Sequence, residues 1–556
     1  MLIEKHSVLT AESPLIGKTV ELRRLFALVV LLFLTGIGDC FAHAAERGFV
    51  LLLPTGYYLL GGTLAVATSI LLASVLRYQV LRVFFSMQFK IPLKSTSARF
   101  FCSAAGFIVL LLLLLTGFYG SHDPLSNPLP LTIWTLFWVG LTLAHAVAGN
   151  FWSLFNPWYA PVSLINRYII DNGSVGSTGC QERETSRQGS TLPAHFRLSE
   201  KLGYLPAIAG FLLFAWFELV SLAPEDPLIL TKVVGSYWLF HCLAILAFGE
   251  TWLQRGEPFS VFFRFISLLS PFTRTNKGIT IGLPGYRLLS EPPIGWSGAA
   301  FVLITLATVS FDGLNKTFWW LHLNDINPLD FRGRSSVTLI NGTGLLIAVT
   351  TLPGLYFLTT WLGWKLAKKQ KKKQDTHKPS IQDTHKSSIQ DTHESSIRDT
   401  RNSENSAGGT HMPSYRSFAG LLALAIMPIS LGYHLSHYTT QLLVNAQYAL
   451  AAFSDPFAAD WNLFNLQGFR VTTSFLSHHA SVERIWLFQV VVIVAAHIFS
   501  VALAHLLALR LFNTNNSDGQ NLLNQKLAVV SLLPMGILMV LYTLFGLWLL
   551  STPTGA

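Results

Sequence analysis

Charge is what this sequence has least of. Only 12% of its 556 residues are Asp, Glu, Lys or Arg, while 51% are hydrophobic. Soluble proteins carry roughly 25% charged residues. The deficit, with a mean hydropathy of +0.45, excludes an ordinary soluble globular chain and points to many segments buried in lipid. Cysteine is nearly as scarce. Cys40, Cys102, Cys180 and Cys242 lie far apart with no C-x-x-C pairing, which excludes a disulfide framework and a zinc ribbon. No C-x-x-C-H is present, so covalent haem in its usual form is excluded as well. The chain also lacks G-x-x-x-x-G-K-[ST], H-E-x-x-H and a nucleophile elbow, which speaks against an ATPase, a zincin and an α/β-hydrolase.

What is there is a series of apolar runs, each near the ~20 residues needed to span a bilayer. They cover 56–76, 101–120, 131–150, 203–223, 228–248, 296–314, 337–366, 418–444, 485–512 and 527–550. Before them, Arg23 and Arg24 precede the apolar run 25–34, and Ala42-His43-Ala44 resembles a cleavage site. Residues 1–44 therefore read as a signal peptide or signal anchor. Cys40 follows Gly38-Asp39, which is not a lipobox. The expected fold class is all-α: a polytopic transmembrane helical bundle of about ten spans after the signal-like segment.

The net charge of +10 gathers in short loops rather than on a nucleic-acid-binding face. Residues 77–100 carry Arg77, Arg82, Lys90, Lys94 and Arg99 and no acid, and basic residues likewise mark 151–202, 251–295 and the start of 367–417. The alternate loops are acidic or neutral. By the positive-inside rule the basic loops are cytoplasmic and the mature termini lie outside. The Lys371–Lys373 run reads as a topology anchor, with anionic lipid contact as a secondary reading.

Residues 374–405 hold an octad repeat, QDTHKPSI, QDTHKSSI, QDTHESSI and the degraded RDTRNSEN. Polar and without a periodic apolar face, it is expected to be a disordered linker. Its His377, His385 and His393 fit tandem expansion better than metal binding. The linker, 367–417, divides the chain into a seven-span part, 45–366, and a three-span part, 418–556. Two aromatic stretches, at 151–159 and 258–269, are expected to lie along the inner leaflet as interfacial segments. A re-entrant gate is the alternative for these, and it requires cover by protein or water.

Polar residues inside the spans carry the functional signal. His434, His437, Tyr438, Gln441 and Asn445 recur at steps of three and four, on one side of a helix. Counting ~1.5 Å of rise per residue, Glu218, Asp312, His434 and His437 fall in the outer half of the membrane, with Asn315 and Lys316 just beyond. His145, His241 and His497 fall at a second, deeper level, with His505 and Glu250 lower still. His434, His437 and Asp312 have the side-chain types of a metal site, where a held divalent transition metal could activate water with Glu218 as base. Without metal, the same groups relay protons or bind a cation. His241 with His497 are candidates for axial haem ligation. Hydrogen bonding between packed helices is the plainer alternative for all of them.

Several short motifs resemble a bacterial polytopic membrane family labelled fenitrothion hydrolase-like. They are Met427-Pro-Ile-Ser-Leu-Gly-Tyr-His-Leu-Ser-His-Tyr, Phe453-Ser-Asp-Pro-Phe, Trp486…Gln489…His497…Ala504-His505, Phe248-Gly-Glu-Thr-Trp, Ser310-Phe-Asp-Gly-Leu and Asn156-Pro-Trp. The resemblance implies residence in a bacterial inner membrane and hydrolysis of an organophosphate ester, with chemistry at His434, His437, Asp312, Glu250 and His497. Three readings therefore stand: a metal-dependent membrane hydrolase, a transporter or channel for a metal ion or small solute, and a scaffold whose polar residues only pack helices. The partners expected are the lipid bilayer and a small-molecule or metal ligand, not nucleic acid.

Overall fold

The computed structural model describes residues 55–75, 87–92, 98–172, 192–275, 278–327, 333–375, 412–466, 468–512 and 518–552. The signal-like segment and nearly all of the octad repeat lie outside the described residues. Within them the chain is helical almost throughout. The principal helices are α1 (Thr55–Val75), α2 (Arg99–Tyr119), α3 (Pro128–Ala148), α4 (Leu205–Leu219), α5 (Pro227–Phe248), α6 (Pro258–Ile266), α7 (Trp296–Leu314), α8 (Thr338–Asp375), α9 (Tyr415–Ser454), α10 (His479–Phe512) and α11 (Asp518–Ser551). Among the described residues nine of these, all but α4 and α6, are long and apolar enough to cross a membrane. Helix α4 matches the expected run 203–223, but the helix itself is only 15 residues long.

An apolar sequence of this length becomes helical in lipid because a helix satisfies its backbone N–H and C=O groups within the one segment, without water. The polar residues then sort the helices. α9 and α7 are buried along 89% and 78% of their apolar stretches, α1 along only 11%. The two helices that carry His437 and Asp312 are thus the centre of the bundle, and α1 leaves most of its surface outside the packed core.

Two interhelical approaches are so close that a side chain does not fit between the backbones. A Cβ on Gly363 of α8 would strike the Ser531 carbonyl oxygen of α11, and one on Gly420 of α9 would strike the carbonyl oxygen of Ile294, just before α7. Such contacts are characteristic of helices that pack by shape rather than by hydrophobic drive.

The structure differs from the sequence reading in four respects. α8 continues past residue 366, through the lysine run to Asp375, because lysine is a good helix former and no Pro or Gly follows Gly363 in it. The expected linker is correspondingly shorter, and the chain is helical again from Tyr415, capped by Ser414. Second, the seven-span and three-span parts are interleaved. α1 packs on α10 and α11, α8 packs on α11, and one core runs from Val66 to Leu547.

Third, α6 does not lie flat along a leaflet. Phe259, Val261, Phe262, Phe263, Phe265 and Ile266 are all buried in the core. Its buried N-terminus is satisfied by Glu257, whose carboxylate accepts from the backbone N–H of Phe259 at 2.9 Å and of Ser260 at 2.6 Å, and from the Tyr237 hydroxyl. A buried helix end needs such partners. The stretch has few polar groups to spare for an aqueous side, which is why burial wins over an interfacial position.

Fourth, a three-stranded antiparallel sheet sits among the helices, in the order β1 (Gln88–Pro92), β3 (Gly278–Gly282), β2 (Phe272–Thr275). Phe89 pairs with Ile281 and Ile281 with Phe272. The alternation Phe-Lys-Ile and Ile-Thr-Ile has the strand period of two.

Candidate functional site

Asp312 lies on the last turn of α7, with its carboxylate buried and three donors around it. Oδ1 accepts from Lys316 Nζ at 2.8 Å. Oδ2 accepts from His437 Nε2 at 2.7 Å and from the Tyr438 hydroxyl at 2.9 Å. The local sequence explains each partner. Lys316 stands four residues after Asp312, the helical spacing for an ion pair. His437 and Tyr438 are adjacent on α9, which packs against α7, and both turn the same edge of that helix to the carboxylate. Glu218, on the last turn of α4, comes within 3.1 Å of the same Tyr438 hydroxyl. Arg334 closes this end by donating to the carbonyls of Glu218 and Ser221, both at 3.0 Å.

Asp312 is 3% exposed, whereas the Lys316 side chain is 52% exposed, so the cluster reaches from the bundle interior to its surface. Desolvation pulls the Lys316 ammonium towards a lower pKa. The Asp312 and Glu218 carboxylates outweigh it and hold the group above the ordinary lysine value.

Tyr438 is the hub. Its oxygen also accepts from Trp138 Nε1 at 3.0 Å. A phenol has one proton to give, yet two carboxylates lie within hydrogen-bond distance of it. If that proton points to Asp312, Glu218 can meet the phenol oxygen favourably only by bringing a proton of its own. One proton on Glu218 would satisfy this geometry, and His437 bonds the other carboxylate.

Trp138 sits in a ten-residue π-helical stretch of α3, Thr132–Leu141. Such wide turns concentrate at functional sites. Here the Trp138 carbonyl accepts from Thr142 Oγ1 at 2.6 Å and faces His434 Nε2 at 3.0 Å. Against a carbonyl, Nε2 must carry the hydrogen, which leaves His434 Nδ1 as the lone-pair nitrogen. That nitrogen is buried without a protein partner.

The sequence-derived candidates thus separate. His437 and Asp312 meet directly, and Glu218 joins them through Tyr438. His434 is not bonded to either of them: its Nε2 faces the Trp138 carbonyl and its Nδ1 has no protein partner. Among the described residues no group of three His, Cys, Asp or Glu is arranged to hold a metal ion, so the expected His434, His437 and Asp312 ligand set is not assembled: His437 and Asp312 bond each other rather than a shared centre. His241 and His497 are likewise enclosed by different rings. His241 Nδ1 accepts from Trp252 at 2.9 Å beside Tyr237 and Trp158. His497 Nδ1 faces the Ile493 carbonyl at 2.9 Å beside Tyr433 and Tyr542, and its Nε2 has no protein partner. His145 is satisfied on both nitrogens, by Leu141 and Trp152. Glu250 pairs with Arg99 at 2.8 Å, and that guanidinium also stacks on Tyr159.

The sequence names Tyr438 in the polar stripe of α9 but gives it no role. Trp138 gave no signal, since a tryptophan inside an apolar run looks like core. Comparison with protein-family models, with curated proteins and with solved structures gives no match. The resemblance to the fenitrothion hydrolase-like family rests on the short motifs alone.

Proposed function

We propose that this chain is a multi-pass membrane protein that conducts protons, and that Glu218, Tyr438, Asp312 and His437 are its proton-handling element. The observation that carries the reading is the single Tyr438 hydroxyl poised between two carboxylates, 2.9 Å from Asp312 and 3.1 Å from Glu218. Ionisable groups inside membrane helices are expensive and mark proton relays and ion paths. A hydrogen-bonded chain that begins at half-exposed Lys316 and partly buried His437 and ends at a second carboxylate has the form of such a relay. Further along α7, Ser310 meets the Tyr542 hydroxyl at 2.5 Å, and Tyr542 packs on His497. That sequence continues polar groups from the outer cluster towards the second histidine level. In this reading the basic loops face the cytoplasm of a bacterial inner membrane, and the cluster opens to the opposite side.

The test is proton flux in reconstituted vesicles that contain a pH dye, with a pH gradient imposed and the membrane potential clamped. Wild-type protein should raise the flux above that of protein-free vesicles. Asp312→Asn should return it to background, and Lys368→Ala should leave it unchanged. Wild-type vesicles no more permeable than empty ones would overturn the reading.

A further inference from the structure

The three-stranded sheet has one backed face and one bare face. Residues paired directly across strands project to the same side, and residues two apart share a face. One side therefore carries Gln88, Lys90, Thr280 and Thr273. It is backed by Tyr286, whose hydroxyl donates to Thr273 Oγ1 at 2.7 Å and whose ring lies where a Cβ on Gly282 would be. The opposite side carries Phe89, Ile281 and Phe272 in one row and Ile91, Ile279 and Arg274 in the next. Phe89 is 74% exposed, Ile91 46% and Phe272 38%. Five contiguous apolar side chains on an open sheet face call for a cover.

The position of the sheet indicates what that cover is. β2 begins against the end of α3: Ser270 Oγ donates to the Val147 carbonyl at 2.7 Å, one residue before the last residue of that helix. The spans α2 and α7 start from the same end of the bundle, shortly after β1 and β3. The sheet thus lies at the level where membrane helices leave the hydrocarbon. Its charge is one-sided. Lys90 and Arg274 are exposed, and no strand contains an acidic residue.

We infer that this apolar face rests in the headgroup zone of an anionic lipid leaflet, as an interfacial sheet attached to the bundle. Apolar side chains enter the acyl boundary, while Arg274, on the same face, reaches the lipid phosphates. Membrane-interface binding is familiar for amphipathic helices, and the physical requirements are the same here: a bare apolar face, a basic residue beside it and a fixed height at the bilayer surface.

The test uses the full chain in nanodiscs. A fluorescent amino acid is placed at Phe89 and, in a second protein, at Lys90 on the opposite face. Emission is quenched either by lipids labelled near the headgroup or by iodide from water. The probe at 89 should favour lipid over iodide quenching several-fold more than the probe at 90, and the contrast should fall when anionic lipid is replaced by zwitterionic lipid or when salt is raised. Should the first pair disturb folding, Ile91 and Thr280 repeat the comparison. Iodide-dominated quenching at both faces would show the face in water. A probe at 89 shielded from both quenchers would show that protein covers it. Either result overturns the inference.

Discussion

At the scale of single residues, the weight of the molecule falls on one hydroxyl. Tyr438 accepts from Trp138 and lies between two carboxylates, so Tyr438→Phe removes the link while keeping the ring. The loss of a hydrogen bond to charged groups should cost about 1.5–3 kcal/mol, read as a lower melting temperature in detergent, and proton flux should fall to background. A phenylalanine variant that melts early yet retains full flux would place the relay elsewhere. The residue scale is also where sequence reading reached furthest and then stopped. Asp312, Glu218 and His437 could be set at one height because helical rise is constant, but height says nothing of azimuth. His434 is one turn from His437 on the same helix, yet a carbonyl freed beside the π-helical turn of α3 took its nitrogen instead. No periodicity in the sequence reports where a neighbouring backbone oxygen will be.

The helices themselves were legible from composition, since lipid leaves an apolar run of that length few alternatives. What composition did not reveal was which runs would be buried twice, in lipid and again in protein. Helix α6 is the instructive case. Its phenylalanines suited a membrane surface as well as a core, and the decision was made by Glu257, which makes a buried helix start affordable. The strands escaped notice for a related reason: Phe-Lys-Ile and Ile-Thr-Ile are too short to stand out beside runs of twenty apolar residues. Close helix packing supplies a prediction at this level. Gly363→Ala pushes a methyl group into the Ser531 carbonyl, so α8 and α11 must part, at about 1–3 kcal/mol. Thermal unfolding of the purified variant measures it, and an unchanged midpoint would mean that the two helices separate without cost.

At the scale of the whole molecule, chain order proved a poor guide to neighbourhood. The repeat-bearing segment looked like a boundary between two bundles, but α1 packs with α10 and α11 across it. A long polar insertion between spans interrupts the sequence without interrupting lateral packing in a bilayer. The charge pattern gives the prediction that belongs here. A reporter that works only outside the cytoplasm, fused within residues 376–411, should be inactive, and one fused after Ser551 should be active. The reverse pattern would invert the orientation drawn from the basic loops.

The glycine contacts have one more consequence. Gly420 touches Ile294, and Gly363 touches Ser531, all near the end of the bundle where α7 and α9 begin. His437 lies seventeen residues beyond Gly420, about 25 Å along the helix. Of the two, the Gly420 contact lies on the helix that carries His437 and Tyr438. Any tilt of α9 pivoting there would be smallest beside Ile294 and largest at His437 and Tyr438.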